Sequence, residues 1–522
     1  MARSTLLVIA ATLASSVLGF GREVINARYY GTFWEMDAFL AAATIPTILF
    51  GVFNGALVSA LVPVFSEYFA GGDEEAARRL GSTVFNALGI GLTVLAAIGW
   101  VLAPSYVPIV ARGFPPQELA VTIEMTRWLL PTIVFTSLAG VLSSMLNAHH
   151  RFAASSIQGM AINVVTIAVV LAFNARLGIY ALVLGTGLGF AAQVAVQLPS
   201  ILRSGLYRPV LDLHHPGLTK VYEMLGPIVV GSAAGQTAIF FDRHFASMLT
   251  PGYISGMNYA SKLIGFPQQI FAAAVATVIF PLLASQFASA NRAGIKRSVV
   301  MGLRVVNLVT IPSVFGLIAL GRPIVSVLFQ RGAFGPTATD LTAGLLPYGA
   351  IGLVGVAASI VLTRCCFACK ETRWTVAISV FAVVLNLILC VTWLPTLGAR
   401  GLLLANGLSQ WAQAALLFAL VFRLVNGLDW KAVLSSALRI LVCSCAMIAA
   451  LEWIASLGVQ VPPTFAARAW YLVGELAIGT FVFLGAARLL GVEEIGIAIR
   501  TILQKFERRL PSPPESREAP IA

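Results

Sequence analysis

Charged side chains are what this sequence has least of. Asp, Glu, Lys and Arg make up 11% of its 522 residues while hydrophobic residues make up 58%; a soluble domain would carry about 25% charge. That balance excludes a soluble globular protein and requires a chain that meets lipid over much of its surface. Cysteine is also scarce. Cys365, Cys366, Cys369, Cys390, Cys443 and Cys445 all fall in or at the ends of apolar runs. Cys366-Phe-Ala-Cys369 has the spacing of half a metal site, but no second pair or nearby histidine completes it, so no metal is expected. There is no Walker A sequence, no Gly-x-Ser-x-Gly elbow and no loop large enough for an ATPase domain. Strict alternation of apolar and polar residues is missing too, which excludes a membrane β-barrel.

What the sequence has is apolar runs. About fourteen of them, each roughly 20 residues long and joined by short connections, can cross a hydrocarbon core of about 30 Å as helices. The predicted fold is an all-α integral membrane protein with about fourteen transmembrane helices. The net charge of +12 sits beside these runs and not on one face of a soluble domain, so positive-inside bias explains it and nucleic acid is not an expected partner. Counted from a cytoplasmic N-terminus, Arg78/Arg79, Arg151, Arg203/Arg208/Lys220, Arg292/Lys296/Arg297, Lys370/Arg373 and Arg423/Lys431 share one side. Isolated charges, Arg112, Arg176, Arg400 and Arg468, fall on the other. An even number of spans then puts both termini in the cytoplasm. The first run resembles a signal peptide, with Arg3 and the small residues Ala14-Ser15-Ser16. Cleavage there would leave Arg22 to Gly31 as a charged stub, so it is read as an uncleaved span.

The chain is written twice. Arg22 aligns with Arg243, Gly31 with Gly252, Asp37 with Asn258, Pro46 with Pro267 and Phe50 with Phe271, all at one spacing (243 − 22 = 221). Pro63 with Pro281, and Leu129-Leu130-Pro131 with Leu345-Leu346-Pro347, keep nearly the same interval. Two blocks of about six spans with the same orientation predict two bundles related by an axis along the membrane normal. The expected organisation is a six-helix lobe over 1–204, a cytoplasmic linker over 205–220, a second lobe over 221–428 and two additional helices over 429–491. Residues 492–522 follow as a basic amphipathic helix and a disordered tail.

The stretch GFGREVINARYYG, Gly19 to Gly31, places Arg22 and Glu23 inside or near the membrane, where a central charge costs about 2.5–3.5 kcal/mol and normally faces a cavity or a partner. Neighbours on a helix point about 100° apart, so these two are not expected to pair with each other. Lys262 lies in the matching apolar run of the second block, just before Phe266-Pro267. One inward cation from each block suits an anionic head group, Arg gripping phosphate bidentately and Lys acting as a mobile point charge. Packing and snorkelling are the competing reading. Asp242 and Asn386 are candidates for an ion-coupling site, with interhelical hydrogen bonding the alternative; Asn163, Gln193 and Gln236 read the same bland way. His149-His150 and His214-His215 read as solvated loop residues. Without an ATPase, any transport must draw on an ion gradient, the membrane potential or the substrate's own gradient.

The segments VLGFGREVINARYYG, DAFLAAATIP, ALVPVFSEY, LLPTIVFTSLAGVLSSMLNAHHRF, IFFDRHFAS, YASKLIGFP, VLFQRGAF and CFACKETRW, in this order, resemble the MurJ/MviN family. These are the bacterial lipid II flippases of the multidrug/oligosaccharidyl-lipid/polysaccharide exporter superfamily. The resemblance implies two six-helix lobes around a central cavity, with a last helix pair that grooves the polyprenyl tail. It implies diphosphate binding by cavity cations at Arg22 and Lys262, with Glu23 beside them and Asp37 at the family's acidic position. Gly474, Gly479 and Gly485 would leave the tail an apolar furrow. The expected partners are a polyprenyl-diphosphate glycolipid, the membrane and cell-wall synthesis proteins. The expected state is a monomer in the bacterial inner membrane, with no cofactor beyond a coupling Na+ or H+. The sequence departs from the family at Ser16 and Phe50, where relatives carry Arg, and at Asn54, where they carry Glu, so this cavity is less cationic. An exporter of another polyprenyl-linked saccharide stays open. So does a polyprenyl-phosphate glycosyltransferase using Asp37 as its acid, although short loops without paired carboxylates disfavour an enzyme.

Overall fold

A computed structural model describes residues 2–268, 273–457, 464–492 and 494, and among them every regular element is a helix. The first nine are α1 (Ala2–Tyr30), α2 (Trp34–Ala42), α3 (Thr44–Ala70), α4 (Glu74–Val110), α5 (Pro116–Leu129), α6 (Thr132–Ala148), α7 (Phe152–Leu177), α8 (Tyr180–Arg203) and α9 (Pro216–Ala246). Then come α10 (Tyr253–Pro267), α11 (Ala273–Ala288), α12 (Arg292–Ala319), α13 (Gly321–Phe329), α14 (Pro336–Ala350) and α15 (Gly352–Ala368). The last four are α16 (Arg373–Leu397), α17 (Ala399–Leu424), α18 (Trp430–Ser456) and α19 (Phe465–Leu489). Among the described residues, ten helices are long and apolar enough to cross a membrane, or eleven with the pair α14 and α15, bent by 44°. The basic amphipathic segment expected after position 494 lies outside the described residues.

Helices dominate because lipid leaves backbone polar groups no partner but each other. Their starts are marked by caps: Asp73 accepts from Ala76 N, Asn291 from Gly294 N and Asp429 from Ala432 N, each worth about 1 kcal/mol. Helix boundaries recur along the chain. The broken span Pro116–Ala148 returns as Pro336–Ala368, displaced by 220 residues (336 − 116), and α7 returns as α16, displaced by 221 (373 − 152).

Contacts divide the chain into two units. The first holds residues 1–263, 321–349 and 376–409; the second holds 264–320, 350–375 and 410–522. This division cuts across the boundary between the two repeated blocks. In the first unit, Leu57, Leu61 and Phe65 of α3 pack with Leu80 of α4, Leu142 and Met145 of α6, and Ile201 of α8. The segment between α8 and α9 is laid down on α4 and not left free. Leu206 is buried in that core, Arg208 N and Asp212 N donate to Ser82 Oγ and Thr83 Oγ1, and Tyr207 bonds Asn86 at 3.0 Å. His215, expected to be solvated, is buried: its Nδ1 accepts from Gly217 N at the start of α9, and its ring meets Tyr68 edge-on. His149 likewise stacks on Phe69 at 5.3 Å. His149 follows the end of α6 and His215 precedes the start of α9, and each lies against a neighbouring aromatic ring.

Candidate functional site

The charged stretch of α1 resolves differently from the angular argument. Arg22 Nη2 donates to Glu23 Oε1 at 2.9 Å. The flexible Arg stem folds back over the helix surface, and the incentive is large: Glu23 is 6% exposed, where losing its partner would cost about 3–5 kcal/mol. Lys262 of α10 is exposed and acts on Glu23 electrostatically. Arg22 and Glu23 are an ion pair, and Lys262 stands close enough to act on Glu23 without a hydrogen bond or ion pair to it among the described residues. Arg22 uses one N–H group on Glu23, and the rest of its guanidinium fork has no protein partner among the described residues.

Asp37 of α2 is 2% exposed. Its Oδ2 accepts from Gly252 N at 2.6 Å and its Oδ1 from Ser255 N at 2.7 Å, so it caps α10 from a different helix. Arg243 of α9 reaches the same turn, donating to Ile254 O and to Asn258 Oδ1 at 3.3 Å. Both Asp37 oxygens are committed to backbone, and none of its bonds goes to the Arg22 cluster. The far end of α1 is fastened beside it: Ala333 N donates to Arg28 O at 2.8 Å. A Cβ on Gly31 (φ +52°) would stand 2.5 Å from Ala333 O, and one on Gly332 would stand 2.4 Å from Arg28 O. Only glycine lets these two backbones meet. Below them Tyr259 packs against Phe329 and Phe334 at 5.2 and 5.4 Å, and Phe20 against Phe329 at 5.9 Å.

The candidate coupling residues share one neighbourhood. Cys390 Sγ lies 3.7 Å from Asn386 Oδ1 on α16 and interacts electrostatically with Asp242 of α9. Asp242 Oδ1 is buried with no hydrogen-bond partner among the described residues.

Two cavities complete the picture. In the first unit, a space of about 820 Å³ is lined by α1, α3, α6, α7 and α8, with Ser16 and Phe50 on its wall and no ionisable side chain. Ser16 and Phe50, where the family resemblance leads one to expect a cation, thus face an uncharged space. In the second unit, a cavity of about 580 Å³ is lined by α12, α15, α17 and α18, among them Ile311, Trp411, Phe418, Leu434 and Leu438. None of Gly474, Gly479 and Gly485 lines it. A Cβ at Gly474 or Gly485 would touch nothing within 4 Å, and one at Gly479 would meet Leu451 and Met447 of α18. The glycines of α19 are packing or surface positions, and the apolar space is built from large side chains on α18 and its neighbours.

Sequence reasoning missed a buried charge cluster. Glu494, 1% exposed, accepts from Arg304 Nε and Ser436 Oγ. Burial alone would raise its carboxyl, but the bonds from Ser436 and Arg304 outweigh burial and hold it below the ordinary range. Arg439 donates to Gly491 O beside it at 3.2 Å. A carboxylate just past an apolar helix, with cations in two earlier helices, was the available signal.

The profile of the family described as "Lipid II flippase MurJ" matches residues 26–468. A "Probable lipid II flippase MurJ" of Vibrio cholerae serotype O1 is 31% identical over 506 residues, covering 94% of this chain and 96% of that protein. The "Lipid II flippase MurJ" of Burkholderia cenocepacia is 30% identical over 427 residues, covering 80% and 83%. Among solved structures, "Lipid II flippase MurJ, inward closed conformation" superposes with a TM-score of 0.79 over 94% of this chain and 100% of that one, at 22% identity. An inward-facing multidrug resistance MATE family transporter superposes with a TM-score of 0.69 over 79% and 94%, at 12% identity. The two superpositions carry the fold, the profile and the relatives carry the kinship, and together they establish that the chain belongs to the lipid II flippase MurJ family.

Proposed function

We propose that this protein is a lipid flippase. It moves a polyprenyl-diphosphate-linked peptidoglycan precursor, lipid II, from the inner to the outer leaflet of the bacterial cytoplasmic membrane by alternating access, with both termini cytoplasmic. The observation that carries the reading is the Arg22–Glu23–Lys262 cluster, an excess positive charge with an unspent guanidinium fork. A diphosphate fits it chemically: Arg22 turns its free N–H groups to one phosphate, Lys262 screens the other, and Glu23 holds Arg22 while the site is empty. Glu23 also competes with the ligand, which keeps release feasible. Asp37 and the Gly31/Gly332 contact serve the cycle as the fastening of one end, to be undone when the site faces the other way.

The polyprenyl tail has its own place in this account. It lies in the apolar cavity of the second unit against α18, lined by residues such as Trp411, Leu434 and Leu438, and not along the α19 glycines. Asp242, with an unpartnered buried oxygen, and Asn386 are the coupling site for Na+ or H+, the only cofactor the reading needs. The protein works as a monomer alongside cell-wall synthesis proteins, and no catalytic step is required. Complementation of a strain depleted of its lipid II flippase tests the reading. Wild-type protein restores growth and Arg22→Ala does not; a well-inserted wild-type protein that fails to rescue points to another polyprenyl-linked saccharide.

A further inference from the structure

Three thiols, Cys365, Cys366 and Cys369, meet at the end of α15, which is cytoplasmic in the proposed orientation, and neither the diphosphate site nor the tail site uses them. We infer that Cys369 and Cys365 are a modification site: a hydroperoxide closes them reversibly into a disulfide, and the closed form slows transport. The thiol chemistry stands by itself, and only its effect on transport rests on the flippase reading.

The fold selects a different pair from the Cys-x-x-Cys spacing. Cys365 is buried on α15, Cys369 caps the helix end and is partly exposed, and their side chains are hydrogen-bonded to each other. Cys366 bonds Thr375 at the start of α16 instead. The bond from Cys365 holds the Cys369 thiol below its ordinary range, so the accessible sulfur is the one that most readily becomes the nucleophilic thiolate. A buried thiol already in contact with it is placed to resolve the oxidised form.

The Cys369 thiolate attacks one oxygen of the hydroperoxide. An S–O bond forms as the O–O bond breaks, and the departing alkoxide or hydroxide takes up the thiol's proton, so Cys369 is oxidised by two electrons and the peroxide is reduced to an alcohol or water. Cys365 Sγ then attacks Cys369 Sγ, the S–S bond forms, and the hydroxyl leaves as water with the Cys365 proton. A small-molecule thiol reverses the closure by exchange and ends as its own disulfide.

Side chains four apart on a helix have Cβ atoms about 5–6 Å apart, and a disulfide needs about 3.5–4.5 Å. The difference is made up where α15 is already ending. Lys370 has a φ of +60°, and the turn is closed by Cys369 N to Cys365 O at 2.9 Å and Glu371 N to Cys366 O at 2.8 Å, bonds at a helix end that open at little cost. A disulfide closed under that strain is readily reduced, as reversibility requires. Leu362, three residues before Cys365, lines the apolar cavity together with Val354 and Ala358 of the same helix. Rewinding the last turn of α15 therefore reaches the wall against which the tail lies.

Full-length protein in nanodiscs is treated with hydrogen peroxide, alkylated and digested with trypsin, which cuts after Arg364 and Lys370 and so isolates the peptide Cys365–Lys370. In wild type this peptide should lose two hydrogens and carry one alkyl group, on Cys366, and dithiothreitol should restore all three alkylatable thiols. Cys366→Ser should still close. Cys365→Ser should not, and dimedone should trap its Cys369 as the sulfenic acid. Closure in Cys365→Ser but not in Cys366→Ser, or three alkylatable thiols after peroxide, overturns the pair. Lipid flipping in vesicles should fall several-fold when wild type is oxidised, recover with dithiothreitol, and withstand peroxide in Cys365→Ser; disulfide-closed protein that flips at the full rate overturns the control of transport. Protein that forms the disulfide but flips no lipid even when reduced overturns the flippase reading and leaves the thiol pair standing.

Discussion

Asp37→Ala removes a cap that one helix lends to another. Two hydrogen bonds disappear, to Gly252 N at 2.6 Å and to Ser255 N at 2.7 Å, in a site where Asp37 is 2% exposed. Orphaned buried donors cost about 1–3 kcal/mol each, and a lost N-cap costs about 0.5–2 kcal/mol. Because the two descriptions overlap, about 3 kcal/mol is the expected local loss. At about 1.4 kcal/mol per decade, the Gly252 and Ser255 amides should exchange with deuterium about a hundredfold faster. Asp37→Asn keeps one carbonyl acceptor and should give an intermediate rate, about tenfold. Hydrogen exchange on the peptide spanning 250–258, in wild type and both variants, reads this directly. Amides in α7 act as an internal control, because no Asp37 bond reaches them. An unchanged rate in Asp37→Ala would refute the capping role and return Asp37 to the list of ligand-binding candidates.

Glu23→Gln should release Arg22 and tighten diphosphate binding several-fold while slowing turnover, since the competing carboxylate is gone; equilibrium binding together with a flipping rate checks it, and weaker binding would contradict it. Ala415→Trp or Ala437→Trp fills the apolar cavity of the second unit and should reduce transport of long-chain lipid more than of a short-chain analogue. Gly485→Trp, where a Cβ meets nothing within 4 Å, should do neither, and chain-length comparison in vesicles separates the two outcomes. Glu494→Gln should lower the thermal midpoint at neutral pH. Because the Glu494 carboxyl is depressed from its ordinary 4.5, its stabilisation is complete above that pH and fades as pH falls through the lower folded value. The gap between wild type and Glu494→Gln should therefore close on acidification, and a gap independent of pH would count against the cluster. Asp242→Asn should remove any dependence of transport on a sodium gradient or membrane potential, and a dependence that persists would dissociate Asp242 from coupling.

The helical fold and the cadence of the repeat were readable because both rest on local pattern: apolar length sets the spans, and paired prolines and glycines set their breaks. The sequence also drew attention to Lys262, since a charge inside an apolar run must face something, and it stands close enough to act on Glu23. Contacts between distant residues were not readable. Asp37 finds its partners 215 and 218 residues away, and nothing in its own helix marks it as a cap. Arg22 and Glu23 pair against the angular rule because side-chain length defeats it. The uncharged cavity escaped because serine and threonine in apolar helices usually bond their own backbone, as Ser16 does to Thr12 O. Their convergence from four helices appears only in three dimensions. The apolar cavity of the second unit was not readable either, since such a space can be walled by tryptophan and leucine as well as by small residues.

The central claim is that Arg22 and Lys262 hold the diphosphate while the lipid crosses. Its most direct measurement is the leaflet distribution of labelled lipid II in vesicles reconstituted with purified protein, read by a membrane-impermeant quencher. Wild-type protein should carry the label between leaflets, Arg22→Ala and Lys262→Ala should not, and Arg22→Lys should restore part of the rate. Flipping by a correctly folded Arg22→Ala, Lys262→Ala double variant at the wild-type rate would contradict the account.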